Sequence, residues 1–136
     1  MRNERTMRWQ SWLWLWLPVV VWMGVIFAFS SMTMLPSLPG STADLLLKKG
    51  AHVTEYAVLG LLLLRACRGS LGVASPLLPS LTTIIIGGLY AASDEFHQSF
   101  VPTRTPALRD VAIDVIAVIA AVALVWLRQQ RRQGQS

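Results

Sequence analysis

The chain of 136 residues is poor in charge and nearly devoid of cysteine. Only 14% of its residues are Asp, Glu, Lys or Arg and 54% are hydrophobic, against about 25% charged in soluble globular chains, which excludes an ordinary water-soluble domain. The lone Cys67 excludes an intrachain disulfide framework and a cysteine-built metal site, and it leaves the redox compartment unread. Acids number seven against twelve lysines and arginines, for a net charge of +5. A basic balance suggests nucleic acid, but these bases cluster between long apolar runs. There is neither zinc-ligand spacing nor an RNA-binding aromatic signature, so no nucleic-acid partner is expected. The bases read instead as charges flanking membrane spans.

What is present is a succession of apolar segments. No charge occurs between Arg8 and Asp44, and residues 12–29 need only slight extension to cross a hydrocarbon core of about 30 Å. This run exceeds the apolar core of a signal peptide, about 7–15 residues, and no small-x-small cleavage pattern follows it, so it is expected to be retained as the first span. A second, less hydropathic span is expected over residues 49–66, carrying His52 and Glu55 among Val53, Val58 and the leucines 61–64. Residues 69–93 hold no charge and form the third, with Pro76 and Pro79 at its entry, where missing amide donors matter least. The fourth covers residues 106–127, interrupted by Arg109, Asp110 and Asp114. Helices rather than barrel strands are expected, because the segments are long and runs such as 84–86 lack two-residue alternation.

The expected fold is therefore an all-α, integral membrane four-helix bundle. The N-terminus, middle loop and C-terminus hold eight basic residues (Arg2, Arg5, Arg8, Arg65, Arg68, Arg128, Arg131, Arg132), while the opposite side holds four (Lys48, Lys49, Arg104, Arg109). The positive-inside rule then makes both termini cytoplasmic, in a multi-pass protein of the cell membrane. Trp9, Trp12, Trp14 and Trp126 fall at the cytoplasmic interface as a lipid-facing belt. Residues 1–11 form a basic and aromatic cytoplasmic N-terminus. Residues 128–136 form a basic cytoplasmic tail, expected to be a solvated, flexible end beside anionic headgroups.

This topology carries every interior charge to one end. Lys49, His52, Glu55 and Tyr56 enter the second span. Ser93, Asp94, Glu95, His97 and Gln98 leave the third, and Asp110 and Asp114 enter the fourth. At 100° per residue His52, Glu55 and Tyr56 share a face, as do Asp94, His97 and Gln98, and as do Asp110 and Asp114. Five of the seven acids lie in this layer, and a carboxylate near lipid is costly unless paired, protonated or hydrated. Polar groups can simply join membrane helices, yet packing alone does not require two histidines, five acids and four bases at one end. Gly60, Gly87, Gly88, Ala117 and Ala121 have the plainer role of letting helices approach.

The run SDEFHQSFVPTR from Ser93 to Arg104, followed by Asp110 and Asp114, resembles the VanZ-like membrane protein family. Ser30 and Ser31 closing the first helix and the run Lys49-x-x-His52-x-x-Glu55-Tyr56 opening the second extend the resemblance to residues 22–121, within a four-helix transmembrane domain at 12–127. Lys48, Thr103, Asp114 and Ala117 depart from the family's usual residues. The resemblance implies a bacterial envelope protein, and founding members are associated with low-level resistance to the glycopeptide teicoplanin.

Two functional readings follow from the residues. In the first, the polar layer binds a phosphate-bearing membrane lipid or lipid-linked cell-wall precursor at the outer leaflet. Arg104 offers a planar fork for phosphate, beside a fourth helix capped by Thr105 with Pro106 in its first turn. In the alternative, a membrane-embedded hydrolase or transferase uses the cluster as acid–base groups or as ligands of a divalent metal, with His52, Glu55, Asp94 and His97 the candidate ligands. No His-Glu-x-x-His run or nucleophile with a positioned base is visible. Transport is disfavoured because the polar groups stop at one end and no inverted repeat is evident.

Overall fold

Without water to satisfy backbone amides, an apolar segment has to satisfy them internally, and these segments do so as helices. The computed structural model describes residues 4–32, 42–72, 75–102 and 107–135, with side-chain packing from Ser11 and Lys49 onward in the first two segments. The elements are α1 (Glu4–Ser31), α2 (Thr42–Leu71), α3 (Leu77–Gln98) and α4 (Leu108–Gln133). Among the described residues all regular structure is helical. Three stretches, Ser11–Ser31, Leu77–Gln98 and Leu108–Gln133, are long and apolar enough to cross a membrane.

The expected second span is not among these three. Helix α2 extends beyond residues 49–66 at both ends and carries Lys49, His52, Glu55, Arg65 and Arg68. It compensates by packing: it touches all three other helices and buries Tyr56, Leu59, Leu63, Leu64, Ala66 and Cys67. The neighbours of α2 are mostly protein. Helix α3 also contacts every other helix, whereas α1 and α4 make no contact with each other among the described residues.

Three expected boundaries move. Between the first two expected spans the chain is already helical from Thr42, and residues 33–41 lie outside the described residues. The basic tail continues α4 to Gln133 rather than forming an irregular end, because Arg and Gln are good helix formers and each added residue satisfies one more carbonyl. The N-terminal segment is helical from Glu4.

The packing is inverted relative to a soluble protein. The buried face of α3 is Pro79, Thr83, Gly87, Ala91, Asp94 and Gln98, with no large apolar side chain. Its outward face presents Leu78, Leu81, Ile85, Leu89 and Phe96. Helix α4 likewise buries Asp114, Ala117, Val118, Ala121 and Val122 while exposing Ile116, Ile119, Leu124 and Leu127. In water such faces would form an apolar patch well above the few hundred Å² that monomers tolerate; facing acyl chains, they cost nothing.

Proline at position 18 lies inside α1. Lacking an amide hydrogen, it leaves the carbonyl one turn earlier, that of Trp14, without its helical donor. The Arg65 guanidinium of α2 answers this, with Nη1 and Nη2 each 3.4 Å from the Trp14 oxygen. Arg65→Leu should therefore lower unfolding stability in detergent by about 1 kcal/mol, the scale of one long hydrogen bond. In a Pro18→Ala background, where the amide returns, the same change should cost almost nothing. Equal losses in both backgrounds, read from the unfolding midpoint, would deny the coupling.

Candidate functional site

Cross-helix bonds sort the side chains into two ends. At one end Trp16 Nε1 donates to Ser70 Oγ at 2.8 Å and Arg68 Nη2 to Gln129 Oε1 at 3.3 Å, so the start of α1 and the ends of α2 and α4 lie together. At the other end are the exit of α1, the first half of α2, the exit of α3 and the entry of α4, and most of the expected polar layer assembles there.

Along the seam of α2 and α4 the polar pairs form a ladder that descends from the surface. Lys49 Nζ lies 3.7 Å from Asp110 Oδ1, both partly exposed. One turn deeper His52 Nδ1 lies 4.0 Å from Asp114 Oδ2, whose side chain is only 7% exposed. A turn further Tyr56 is fully buried, within electrostatic reach of both Asp94 and Asp114. The spacing 49, 52, 56 on α2 and 110, 114 on α4 is that of one helical face. Separations of 3.7–4.0 Å are ion-pair distances too long for direct hydrogen bonds, so the ladder leaves room for bridging atoms.

Helix α3 supplies the floor. Gln98 Nε2 donates to Asp94 Oδ2 at 3.0 Å, the i,i+4 pairing of one face, and both residues are buried. Asp94 Oδ1 and the Tyr56 hydroxyl, which interact with each other, are buried and lack a well-formed hydrogen bond. The Ser30 hydroxyl is also buried and lacks one. Leaving such groups unmet costs about 1–3 kcal/mol each, so they mark a place where a polar ligand atom or water belongs. Tyr90, one turn before Asp94, has its ring 6.2 Å from that of Tyr56 and donates to Met23 O at 2.6 Å. Tyr90 is not among the site residues expected from the sequence, although its i−4 spacing from Asp94 is a signal for it.

Other expected site residues have different roles. His97 turns toward α1, its ring 4.3 Å from that of Phe27 and its Nε2 3.1 Å from Ser31 Oγ. The Ser31 hydroxyl also reaches Phe27 O at 2.7 Å. His52, by contrast, faces Asp114 of α4. Ser93 is exposed and bonds the Tyr90 carbonyl of its own helix at 2.8 Å, outside the cluster. Glu55 is half-buried, and its carbonyl accepts Trp22 Nε1 at 2.9 Å. Glu95 Oε1 accepts the amide of Ala107. Helix α4 accordingly begins at Leu108 with Ala107 as N-cap, later than the expected start at Thr105 and Pro106: a carboxylate reaching over from α3 engages the entering chain. Thr105, Pro106 and Arg104 lie outside the described residues.

Among the described residues no three His, Cys, Asp or Glu side chains are placed to hold one metal ion. Among the described residues His52, Glu55, Asp94 and His97 do not form a common ligand set: His52 faces Asp114 of α4 and His97 faces Ser31 of α1.

Three lipid-compatible helices, an inverted packing and a polar cluster at one end define an all-α membrane protein. The chain belongs to the VanZ/LLP1 family, whose family model matches residues 14–129. Comparison with curated proteins and with solved structures finds no match.

Proposed function

We propose that this VanZ-like membrane protein binds the polar headgroup of a phosphate-bearing lipid or lipid-linked cell-wall precursor at the polar end of its helices, at the outer leaflet of a bacterial cell membrane. In this reading α2 crosses the membrane with the other three helices and both termini are cytoplasmic, as the excess of arginine at their end favours. The observation that carries the reading is the buried Asp94 carboxylate beside the Tyr56 hydroxyl, neither with a well-formed hydrogen bond, at the foot of a polar ladder that starts at the exposed rim. Headgroup hydroxyl or ammonium donors satisfy Asp94. The phosphate meets the rim bases Lys49 and Arg109, and Arg104, which the sequence puts in the same polar layer, offers a planar fork. A bound headgroup of this kind would alter surface lipids or antibiotic access, and teicoplanin susceptibility of an expressing host is the cellular readout.

The test is mass spectrometry of lipids retained by detergent-purified protein, with orientation checked in cells. Tyr56→Phe removes the hydroxyl beside Asp94, and Arg104→Lys keeps the charge but loses the fork. Each should leave the protein folded and reduce lipid retention about tenfold, the equivalent of one charge-assisted hydrogen bond. Cysteine at Ser37 or Thr103 in a Cys67→Ser background should react with an impermeant reagent in intact cells. Wild-type retention in both variants would refute the headgroup site, and labelling only after lysis would reverse the orientation.

A further inference from the structure

The opposite end of the molecule holds a cavity that the polar cluster does not use. It has a volume of about 450 Å³ and lies where the end of α2, the start of α3 and the end of α4 meet, with Arg68, Arg132, Gln129, Ser75 and Pro76 in its wall. That volume falls within the about 300–1,000 Å³ of small-molecule sites. We propose that this cavity is a second, separate binding site for a phosphate ester, gripped by the guanidinium groups of Arg68 and Arg132.

The charge of the wall is one-sided. Among the described residues no acidic side chain lines the cavity, and neither arginine has a carboxylate within ion-pair distance. Arg68 spends one donor, from Nη2, on Gln129 Oε1 at 3.3 Å. That bond fixes the guanidinium against α4 and leaves most of its five N–H groups for an anion. Arg132, in the last turn of α4 and exposed, supplies a second fork. Two guanidiniums facing one space repel unless an anion lies between them, and planar bidentate pairing makes phosphate the matching chemistry.

The start of α3 adds its positive end but few donors. Pro79 has no amide hydrogen, and the Leu77 amide already bonds Ser75 Oγ at 3.3 Å. The arginines, rather than the helix end, therefore carry the affinity. Depth in the membrane favours a lipid headgroup over a free phosphate as the source. Exposed Trp12, Trp14 and Trp126 belong to this end, and such rings settle at headgroup level, which puts the cavity mouth beside lipid phosphates.

The experiment titrates the full-length protein in dodecyl maltoside, a phosphate-free detergent, by calorimetry. The probes are dihexanoylphosphatidylglycerol and, separately, inorganic phosphate. The Arg68→Gln/Arg132→Gln double variant should weaken binding of the short-chain lipid at least tenfold, and Arg132→Gln alone, at an exposed position that leaves folding intact, at least threefold. Arg128→Gln/Arg131→Gln removes the same charge from the same end without touching the cavity wall, and should stay within twofold of wild type. Inorganic phosphate binding as tightly as the lipid, with the same dependence on Arg68 and Arg132, would support the site with a soluble source. Absence of binding for both probes, or an equal loss in the two double variants, would overturn the proposal.

Discussion

Alanine at Gly60 should destabilise the protein by about 1–3 kcal/mol, the range for overpacking a close-packed contact, and no change in the facing side chain should restore it. A Cβ built there would lie 3.2 Å from the Cα of Val118, 3.3 Å from its carbonyl oxygen and 3.3 Å from Ala121 Cβ. Two of these three neighbours are backbone, so relief requires α4 to move away from α2. Gly87 on α3 abuts the same Val118 from another side, but there a Cβ meets only its methyls, at 3.0 and 3.1 Å. Gly87→Ala should therefore be rescued in part by Val118→Ala, whereas Gly60→Ala should not. Gly24→Ala, with nothing within 4 Å, is the neutral control. Thermal or denaturant unfolding of the purified protein measures all of these. Rescue of Gly60→Ala by Val118→Ala would show that the backbone approach is not the limiting contact.

Asparagine at Asp94 or Asp114 should raise stability by about 1–3 kcal/mol while abolishing headgroup retention. Both carboxylates are buried, at 3% and 5% exposure, and they lie within electrostatic range of each other. Replacing a buried charge by a neutral group of the same shape removes a desolvation cost that the long His52–Asp114 separation of 4.0 Å does not repay. Asparagine at 94 can still accept from Gln98. A binding site that holds unfavourable charge for its ligand gains stability when that charge is removed. A purely structural network loses it, because breaking such a pair strands its partners. Lower stability together with unchanged lipid retention in both variants would assign the cluster to structure alone.

The polar ladder was legible as a set of residues but not as a set of pairs. Helical spacing placed His52, Glu55 and Tyr56 on one face, and Asp110 and Asp114 on another. The two faces meet as Lys49–Asp110 and His52–Asp114 only because α2 leans on α4. His97 shares the face of Asp94 and Gln98 by angle, yet it joins α1 through Ser31 and Phe27. Spacing gives direction about one helix axis; it does not say which neighbour stands there.

Composition and segment length by themselves determined that the chain is helical and suited to lipid, since long uncharged runs can satisfy their amides only within themselves. Charge placement determined that the acids and histidines gather at one end and most arginines at the other. Tertiary structure decided the rest: that α2, which is not among the three helices apolar enough to span, touches all the others, that Arg65 supplies the donor Pro18 lacks, that Glu95 receives the chain entering α4, and that three helix ends border an open cavity lined by Arg68 and Arg132. Each of these depends on atoms more than a helical turn apart in sequence, and only the packing of helix on helix brings such atoms within reach.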